Sequence, residues 1–244
     1  MNASKRVDFI KNWITNYIQS MPKKASALVV GVSGGIDSAV VSTISSMTGL
    51  KTFVLSMPIK QIKTQDDLSK LHCKWLVSNF KNVSYLNVDL DNVFSSFENA
   101  LGENNSEHAF ANSRARLRMT TLYQVAGSNN GIVVGTGNKV EDFGVGFYTK
   151  YGDGGVDISP IADCTKSQVW EMGEFLEIDH KIISAPPTDG LWVDGRNDED
   201  QLGMTYKELE EAMENPKSEN YNKYLKIREN NLHKIKEIPV CKFD

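Results

Sequence analysis

A glycine-rich stretch that contains an acid, SGGIDS at residues 33–38, follows an apolar run that is typical of a buried strand. If a helix begins there, its free backbone N–H groups can bind a phosphate, and Gly34 and Gly35 allow the close approach. Asp37 would repel that phosphate unless a cation lay between the two charges, and Mg²⁺ commonly binds carboxylate and phosphate oxygens together. The stretch therefore indicates a site for a phosphate group and magnesium. The alternative is a first-turn aspartate that the helix dipole stabilises.

The loop differs from the two most common nucleotide-binding motifs. It lacks the lysine of the G-x-x-x-x-G-K-[ST] loop, and it also lacks the G-x-G-x-x-G pattern of dinucleotide-binding folds. The stretch therefore belongs to neither of these classes.

A second stretch rich in reactive side chains, residues 135–161, begins at the end of another expected strand. Ligands of parallel α/β sheets bind beyond the carboxyl ends of the strands, so Thr136 and Glu141 should lie on the same rim as Asp37. Glycines and aromatic residues alternate there with three further charged residues, Lys150, Asp153 and Asp157. This pattern favours a binding site, although a solvated hairpin with ordinary turn glycines would share it.

A short helix-start signal, TKSQ at residues 165–168, indicates where a further cation lies. Thr165 followed three residues later by Gln168 predicts a capping box, which places Lys166 at the first position of a helix. A lysine at a helix N-terminus suits a phosphate ligand. An exposed first-turn lysine is the alternative.

The elements that must position these residues alternate along the chain. Apolar strands are predicted at residues 27–32, 51–57, 83–88 and 131–136, and amphipathic helices at 7–18, 37–47, 68–80 and 112–127. Short apolar strands separated by helices indicate an α/β fold, a doubly wound, mostly parallel sheet with helices on both faces.

Two segments escape this alternation, within what we expect to be a single domain spanning residues 1–244. Residues 101–111 are predicted to be a polar connector, and residues 184–203 a long loop rich in proline, glycine and aspartate. A loop of that length in a compact domain is usually functional or disordered, so we expect it to be a lid over the site. Leu191 and Trp192 could then close over a bound nucleotide.

Composition narrows the functional classes. The formal net charge is −4 and the basic residues are dispersed, which argues against a nucleic-acid partner. No apolar run approaches the roughly 20 residues that cross a bilayer, and the first residues lack the apolar stretch of a signal peptide. The three cysteines are far apart and without metal-ligand spacing. We therefore expect a cytoplasmic protein with reduced thiols and no membrane partner.

The glycine-rich stretch resembles the S-G-G-x-D-S pyrophosphate loop of the ATP pyrophosphatases. Enzymes of this superfamily have an adenine-nucleotide hydrolase-like fold and cleave ATP to AMP and pyrophosphate in order to activate a substrate oxygen. The resemblance implies that Asp37 holds magnesium on the pyrophosphate that leaves.

Longer motifs resemble one family within that superfamily, the NAD synthetases. These are GTGNKVEDFGVGFYTKYGDGGVDISPI (135–161), NSRARLRM (112–119), PPTDGLW (186–192), DEDQLGMTYKELE (198–210) and HK (233–234), which occur in family order. The resemblance implies a homodimeric enzyme that uses ATP, magnesium and ammonia to amidate nicotinic acid adenine dinucleotide through an acyl-adenylate. No cysteine stands in a recognisable nucleophile setting, so we expect ammonia rather than glutamine as the nitrogen source.

The resemblance also implies roles for individual residues. Asp37, Glu141 and Lys166 would be catalytic, and the two acids would ligate magnesium. The implied ATP contacts are Gly31, Val32, Ser33, Gly34, Gly35, Ile36, Asp37, Ser38, Thr136, Lys166 and Thr188. The implied contacts with the dinucleotide substrate are Arg116, Lys150, Asp157, His233 and Lys234.

Helical spacing alone does not choose Arg116. At 100° per residue, Arg116 and Arg118 flank the apolar stripe of their helix on opposite sides, so either could turn inward.

Two other functions compete with this interpretation. One is another ATP pyrophosphatase that amidates or thiolates a different substrate. The other is a non-catalytic sensor of adenine nucleotides, which would have no need for both Asp37 and Glu141.

Overall fold

In the part of the chain that the structure describes, the centre of the molecule is a parallel sheet of four strands. This computed structural model describes residues 1–61, 63–188, 190 and 197–243. The strands are β1 (Ala27–Gly31), β2 (Lys51–Ser56), β3 (Val83–Asn87) and β4 (Gly131–Val133), and they lie in the order β3-β2-β1-β4. Each described pair is parallel, and Ala27 of β1 lies beside Lys51 and Gly131.

Helices connect and cover the strands. They are α1 (Ala3–Ser20), α2 (Ile36–Met47), α3 (Lys63–Asn79), α4 (Asp91–Leu101), α5 (Glu107–Ser128), α6 (Lys166–Phe175), α7 (His180–Ile183), α8 (Asp198–Leu202), α9 (Tyr206–Glu214) and α10 (Tyr221–Ile235). A π-helix, Lys139–Val145, lies between β4 and α6.

The side chains of β1 alternate between two apolar clusters, one on each face of the sheet. Leu28 and Val30 pack with buried residues of α1, α2 and α6. Ala27 and Val29 pack on the opposite face with residues of α4 and α5. A strand buried on both faces is apolar at every position, which explains the sequence ALVVG. Helices on both faces confirm the doubly wound α/β fold.

Several predicted boundaries differ from the structure, and α1 and α3, for example, begin at Ala3 and Lys63 rather than at residues 7 and 68. The helix predicted from residue 112 begins earlier, at Glu107, because the Ser106 side chain caps it by accepting a hydrogen bond from the Ala109 N–H. The polar connector therefore shortens to residues 102–106. The strand predicted over residues 131–136 ends at Val133, and a single bridge from Val134 to Ile158 continues it.

The cysteines are free thiols, and two of them are buried. Cys73 and Cys164 lie inside the protein, and Cys241 is exposed. Burial raises the pKa of the Cys73 thiol to about 12, which makes it a poor nucleophile. Among the helices of the described residues, none is long and apolar enough to cross a membrane.

A buried histidine between α2 and α3 makes the stability of the protein depend on pH. His72 Nε2 lies 3.1 Å from Ser42 Oγ and 3.2 Å from the Ala39 carbonyl oxygen. Burial is the main cause that lowers the pKa of His72, to about 4 against an ordinary 6.5. The folded state therefore favours the neutral ring. The resulting contribution to the free energy of unfolding is complete above pH 6.5 and is lost as the pH falls from 6.5 to 4.

Replacement of His72 by glutamine should reduce this pH dependence. The wild-type free energy of unfolding should lose up to about 3 kcal/mol more than that of His72→Gln between pH 6.5 and 4. Urea unfolding at pH 7 and pH 4.5 measures the difference, with the exposed His180 changed to glutamine as the control. An equal loss in the wild type and His72→Gln would show that His72 does not titrate with unfolding.

Candidate active site

A cavity of about 250 Å³ opens beyond the carboxyl ends of the strands. Its wall contains every position of the predicted ATP site except Gly34, namely Gly31, Val32, Ser33, Gly35, Ile36, Asp37, Ser38, Thr136, Lys166 and Thr188. Because these residues come from four separate stretches of sequence, the fold is what brings them together. We call this space the nucleotide cavity.

The glycine loop is shaped by its contact with α3. Gly34 has φ +94°, and a Cβ there would lie 2.8 Å from the Gln65 carbonyl oxygen and 2.9 Å from the Ser69 nitrogen. Gly35 is the N-cap of α2 and provides no side-chain cap. The first N–H groups of α2 therefore remain available to an anion at this end of the helix.

A buried lysine joins the two predicted metal ligands. Lys166 Nζ lies 2.5 Å from Asp37 Oδ2 and 2.8 Å from Glu141 Oε1, and the Lys166 side chain is only 2 % exposed. Asn138 also contributes, because its Nδ2 donates a hydrogen bond to Asp37 Oδ1 at 2.9 Å. The three residues predicted to be catalytic thus form one ion-paired group, which we call the Asp37–Lys166–Glu141 cluster.

Local structure explains how each member of this cluster is held. The predicted capping box is confirmed, with Thr165 and Gln168 exchanging hydrogen bonds at the start of α6, so Lys166 occupies the first helical position. The alternative of an exposed lysine is wrong. The π-helix carries Glu141, and Asn138 caps it by accepting hydrogen bonds from the N–H groups of Val140 and Glu141. The alternative of a solvated hairpin, given for residues 135–161, is therefore wrong for residues 139–145.

The charges of the cluster are unequally stabilised. Burial raises the pKa of Asp37 above its usual value, and the nearby Lys166 only partly opposes this. Burial acts on Glu141 in the same direction, but Lys166 and the hydrogen bonds from Tyr206 and Asn138 outweigh it and lower the Glu141 pKa. The two carboxylates outweigh the effect of burial on Lys166 and raise its pKa. The lysine is therefore a firmly charged ammonium.

A further acidic residue lies in the wall of the nucleotide cavity, where its charged form is disfavoured. Asp142 lines the cavity, and its burial together with the charge of Asp153 raises its pKa well above the usual value. A Cβ on Gly137 would come 1.9 Å from Asp142 Oδ2, so only glycine leaves room for this carboxyl group. Sequence reasoning did not single out Asp142, because the sequence alone does not show which way its side chain points.

The cavity has the donors for a metal ion that it would share with a phosphate. Among the described residues, no three histidine, cysteine or acidic side chains are grouped to hold an ion by themselves. Asp37 and Glu141 converge on one cation, which is at present the Lys166 ammonium. Mg²⁺ typically takes one or two protein carboxylates and completes its shell with phosphate oxygens and water, so this donor set fits it.

Most of the predicted dinucleotide contacts form a second group, around Lys150. Arg116 Nε donates to the Lys150 carbonyl oxygen at 3.1 Å, and Lys150 Nζ donates to the His233 carbonyl oxygen at 3.1 Å. Lys234 Nζ donates to the Gly146 carbonyl oxygen at 2.7 Å. This part of α10 is therefore tied to the segment that follows the π-helix.

The fifth predicted contact, Asp157, lies apart at the end of β4. Its carboxylate accepts hydrogen bonds from the Val133 N–H at 2.7 Å and from the Tyr123 hydroxyl at 3.1 Å. Neither Asp157 nor the residues around Lys150 are among the described residues that line the nucleotide cavity. Their contact with a substrate remains a prediction.

Two residues in or beside the candidate site were left out or left open by the sequence analysis. Arg118 lines the nucleotide cavity and donates to the Met57 carbonyl oxygen at 2.9 Å, whereas Arg116 is exposed. Tyr206 contacts Glu141 and Lys166 although it lies far from both in sequence. The only sequence signal for Tyr206 is its place within the motif at residues 198–210.

The predicted lid, residues 184–203, contributes several of its described residues to the nucleotide cavity. Ala185, Pro186, Pro187 and Thr188 line the nucleotide cavity, as does Asp198. The Asp198 N–H donates to the Pro187 carbonyl oxygen at 3.0 Å. The prediction that Leu191 and Trp192 close over the nucleotide lies outside the described residues.

Comparisons with known proteins agree on one family. The sequence model of the family described as NAD synthase matches residues 6–241. An "NH(3)-dependent NAD(+) synthetase" from Carboxydothermus hydrogenoformans is 38% identical over 86% of this chain and 85% of its own length. An "NMN synthetase" from Francisella tularensis superposes with a TM-score of 0.90 over 100% of both chains at 30% identity. An "NH3-dependent NAD synthetase" from Campylobacter jejuni has a TM-score of 0.79 and 24% identity over 99% of this chain and 100% of its own, and supports the fold.

Proposed function

Because the chain belongs to the NAD synthase family, we propose that it is an ammonia-dependent NAD synthetase. It converts nicotinic acid adenine dinucleotide into NAD, with ATP as the second substrate. The main support for the proposal is the Asp37–Lys166–Glu141 cluster, which lies beside the uncapped N-terminus of α2. The family model also matches nearly the whole chain. The test is NAD formation from these substrates.

The chemistry follows from the poor reactivity of a carboxylate. Attack on it must place more negative charge on a group that is already anionic. Transfer of AMP from ATP to the nicotinate carboxylate forms an acyl-adenylate and releases pyrophosphate, so one carboxylate oxygen becomes part of a good leaving group. Ammonia then forms the C–N bond, loses a proton and displaces AMP. Catalysis therefore depends on positioning and on neutralising phosphate charge rather than on a nucleophilic side chain.

The chain's own residues can bind and orient the ATP phosphates. The first N–H groups of α2, which no side chain caps, would donate to a bound anion. Lys166, the first residue of α6, supplies a positive charge in the wall of the cavity. Thr136 and Thr188 also line the cavity and complete the proposed ATP site.

Magnesium is part of the proposal because the donor set fits it. Asp37 and Glu141 would hold the ion, which would neutralise charge on the departing pyrophosphate. The two carboxylates converge on one point, the Lys166 ammonium, which supports their role as a pair of ligands.

The group around Lys150 is the proposed site for the dinucleotide. Backbone hydrogen bonds from the side chains of Arg116, Lys150 and Lys234 tie these three cationic residues to the same part of the protein, and cationic side chains suit the phosphates of a dinucleotide. Asp157 and His233 are proposed to bind its polar groups.

We also propose a homodimer, because α1 and α5 leave large apolar side chains exposed. Phe9 is 61% exposed, and Trp13, Tyr17 and Tyr123 are each about 40% exposed. Light scattering at micromolar concentration should give twice the 27.2 kDa mass of the chain. Trp13→Glu and Tyr123→Glu, compared with the wild type, would show which helix lies in the interface. A monomeric wild-type mass would contradict the dimer.

A single domain and a cytoplasmic location complete the proposal. The family match over residues 6–241 supports one synthetase domain over residues 1–244, with residues 184–203 as its lid. Three free thiols support a reducing compartment.

The second candidate function is synthesis of NMN, the mononucleotide. It is favoured by the superposition over the full length of both chains with the Francisella tularensis protein. The two reactions amidate the same pyridine carboxylate and differ only in the adenylate half of the acceptor. The Carboxydothermus relative, at higher sequence identity, favours the dinucleotide.

Direct competition separates the two candidates. With ATP, Mg²⁺ and ammonium held constant, kcat/KM should be higher for nicotinic acid adenine dinucleotide than for nicotinic acid mononucleotide. Lys150→Met should then raise the KM for the dinucleotide more than that for the mononucleotide. A higher kcat/KM for the mononucleotide would replace the first candidate with the second.

A further inference from the structure

We propose that Tyr206 is a positioning residue that holds the Glu141 carboxylate and the Lys166 ammonium in the arrangement that ATP and its metal ion require. The inference rests on the proposed function, because it assigns Glu141 and Lys166 to that reaction. Tyr206 contacts both of these side chains but is not among the described residues that line the nucleotide cavity.

One aromatic side chain contacts both charged groups. The Tyr206 hydroxyl donates to Glu141 Oε1 at 2.5 Å and lies 3.1 Å from Asp198 Oδ2. Lys166 Nζ lies over the face of the Tyr206 ring, 4.9 Å from its centroid. The hydroxyl thus fixes the rotation of a carboxylate, and the ring favours the position of an ammonium through a cation–π contact.

Tyr206 is held rigidly enough to orient its neighbours. The residue is 2 % exposed, and its backbone N–H donates to Glu199 Oε1 at 2.9 Å. A capping box between Thr205 and Glu208 fixes the start of α9. The Trp170 ring on α6 packs edge-on against the phenol at a centroid distance of 5.8 Å.

A separate contact ties α9 to the helix that carries the lysine. Glu210 accepts hydrogen bonds from Ser167 N and Ser167 Oγ, both at 2.8 Å, at the start of α6. The contact between Glu210 in the middle of α9 and Ser167 at the start of α6 therefore helps to fix the distance between Tyr206 and Lys166.

A hydrogen bond to a metal-binding carboxylate affects metal affinity because it fixes the direction of the ligand oxygens. Loss of such a bond typically lowers metal affinity or activity ~10- to 100-fold. A tyrosine that only filled the core would give a different result, because removal of its hydroxyl would change stability without changing metal binding.

The test uses Tyr206→Phe, which removes the hydroxyl and keeps the ring over Lys166. Mn²⁺ binding in the presence of α,β-methylene-ATP, followed by electron paramagnetic resonance, should weaken by ~10- to 100-fold. The kcat should fall by a similar factor, while the KM for the dinucleotide stays unchanged. Tyr224→Phe is the matched control, because Tyr224 is buried in the same apolar cluster and lines a different cavity. It should bind Mn²⁺ like the wild type.

Each other outcome has a definite meaning. Wild-type Mn²⁺ affinity in Tyr206→Phe would overturn the proposal. If Tyr206→Phe also loses binding of α,β-methylene-ATP measured in the absence of metal, the proposal is overturned as well. General damage to the site would then explain the weaker Mn²⁺ binding. A wild-type protein that binds Mn²⁺ with the analogue but forms no NAD would contradict the proposed function, and the effect of Tyr206→Phe on Mn²⁺ binding would still decide the role of Tyr206.

Discussion

Replacement of Asp37 by asparagine should lower kcat/KM by at least ~100-fold, the scale expected for loss of one charge-stabilising group. Asparagine has nearly the same size and can still interact with Asn138, which now donates to Asp37 Oδ1 at 2.9 Å. Asparagine lacks the negative charge of Asp37, which would bind the metal ion. The same charge pairs with Lys166, whose Nζ lies 2.5 Å from Asp37 Oδ2. The shape of the cavity is therefore kept while its charge changes.

Asp37→Asn should leave the protein folded. Burial raises the pKa of Asp37, which means that the ionised carboxylate is less stable there than in water. A neutral side chain avoids this penalty, so the thermal midpoint should stay equal to that of the wild type or rise. Steady-state kinetics and thermal unfolding are compared with Asp163→Asn, an exposed acid paired with Lys139. Normal turnover by Asp37→Asn would remove Asp37 from the active site.

Replacement of Lys166 by methionine should impair both activity and stability. The rate of adenylate formation should fall at least ~100-fold, because a buried positive charge beside the phosphates is lost. The free energy of unfolding should fall by about 3–5 kcal/mol at pH 7, the usual cost of removing one partner from a buried ion pair. Two carboxylates, those of Asp37 and Glu141, would be left together in a buried site.

Metal and surface controls separate the causes of this destabilisation. Addition of Mg²⁺ should restore part of the stability of Lys166→Met, because a cation between the carboxylates replaces the lost ammonium. Lys139→Met, which breaks an exposed pair with Asp163, should cost less than about 1 kcal/mol. Urea unfolding with and without Mg²⁺ measures these effects. A Lys166→Met variant as stable as Lys139→Met would contradict the structural role of the cluster.

Local sequence signals were sufficient for some site residues. The TKSQ capping box placed Lys166 at the start of α6, because the hydrogen bonds that define a cap join residues three apart. The glycine stretch predicted a tight loop before α2 for a similar reason, since Gly34 adopts a positive φ that other residues avoid.

Other features depend on contacts between distant parts of the chain. Tyr206 reaches Glu141 across 65 residues of sequence, and no spacing rule connects them. Arg118 rather than Arg116 lines the nucleotide cavity, a choice that helical periodicity left open because both flank the same apolar stripe. The π-helix at Lys139–Val145 also escaped prediction, because an amphipathic pattern does not distinguish a short π-helix from a turn-rich segment.

The most direct test of the central claim is product analysis with purified protein. Nicotinic acid adenine dinucleotide, ATP and Mg²⁺ are supplied with ammonium as the sole nitrogen source, and nucleotides and phosphates are quantified together. We predict that NAD, AMP and pyrophosphate form in equal amounts and that no NAD forms when ammonium is omitted. Formation of ADP and inorganic phosphate, or consumption of ATP without NAD, would contradict the assignment.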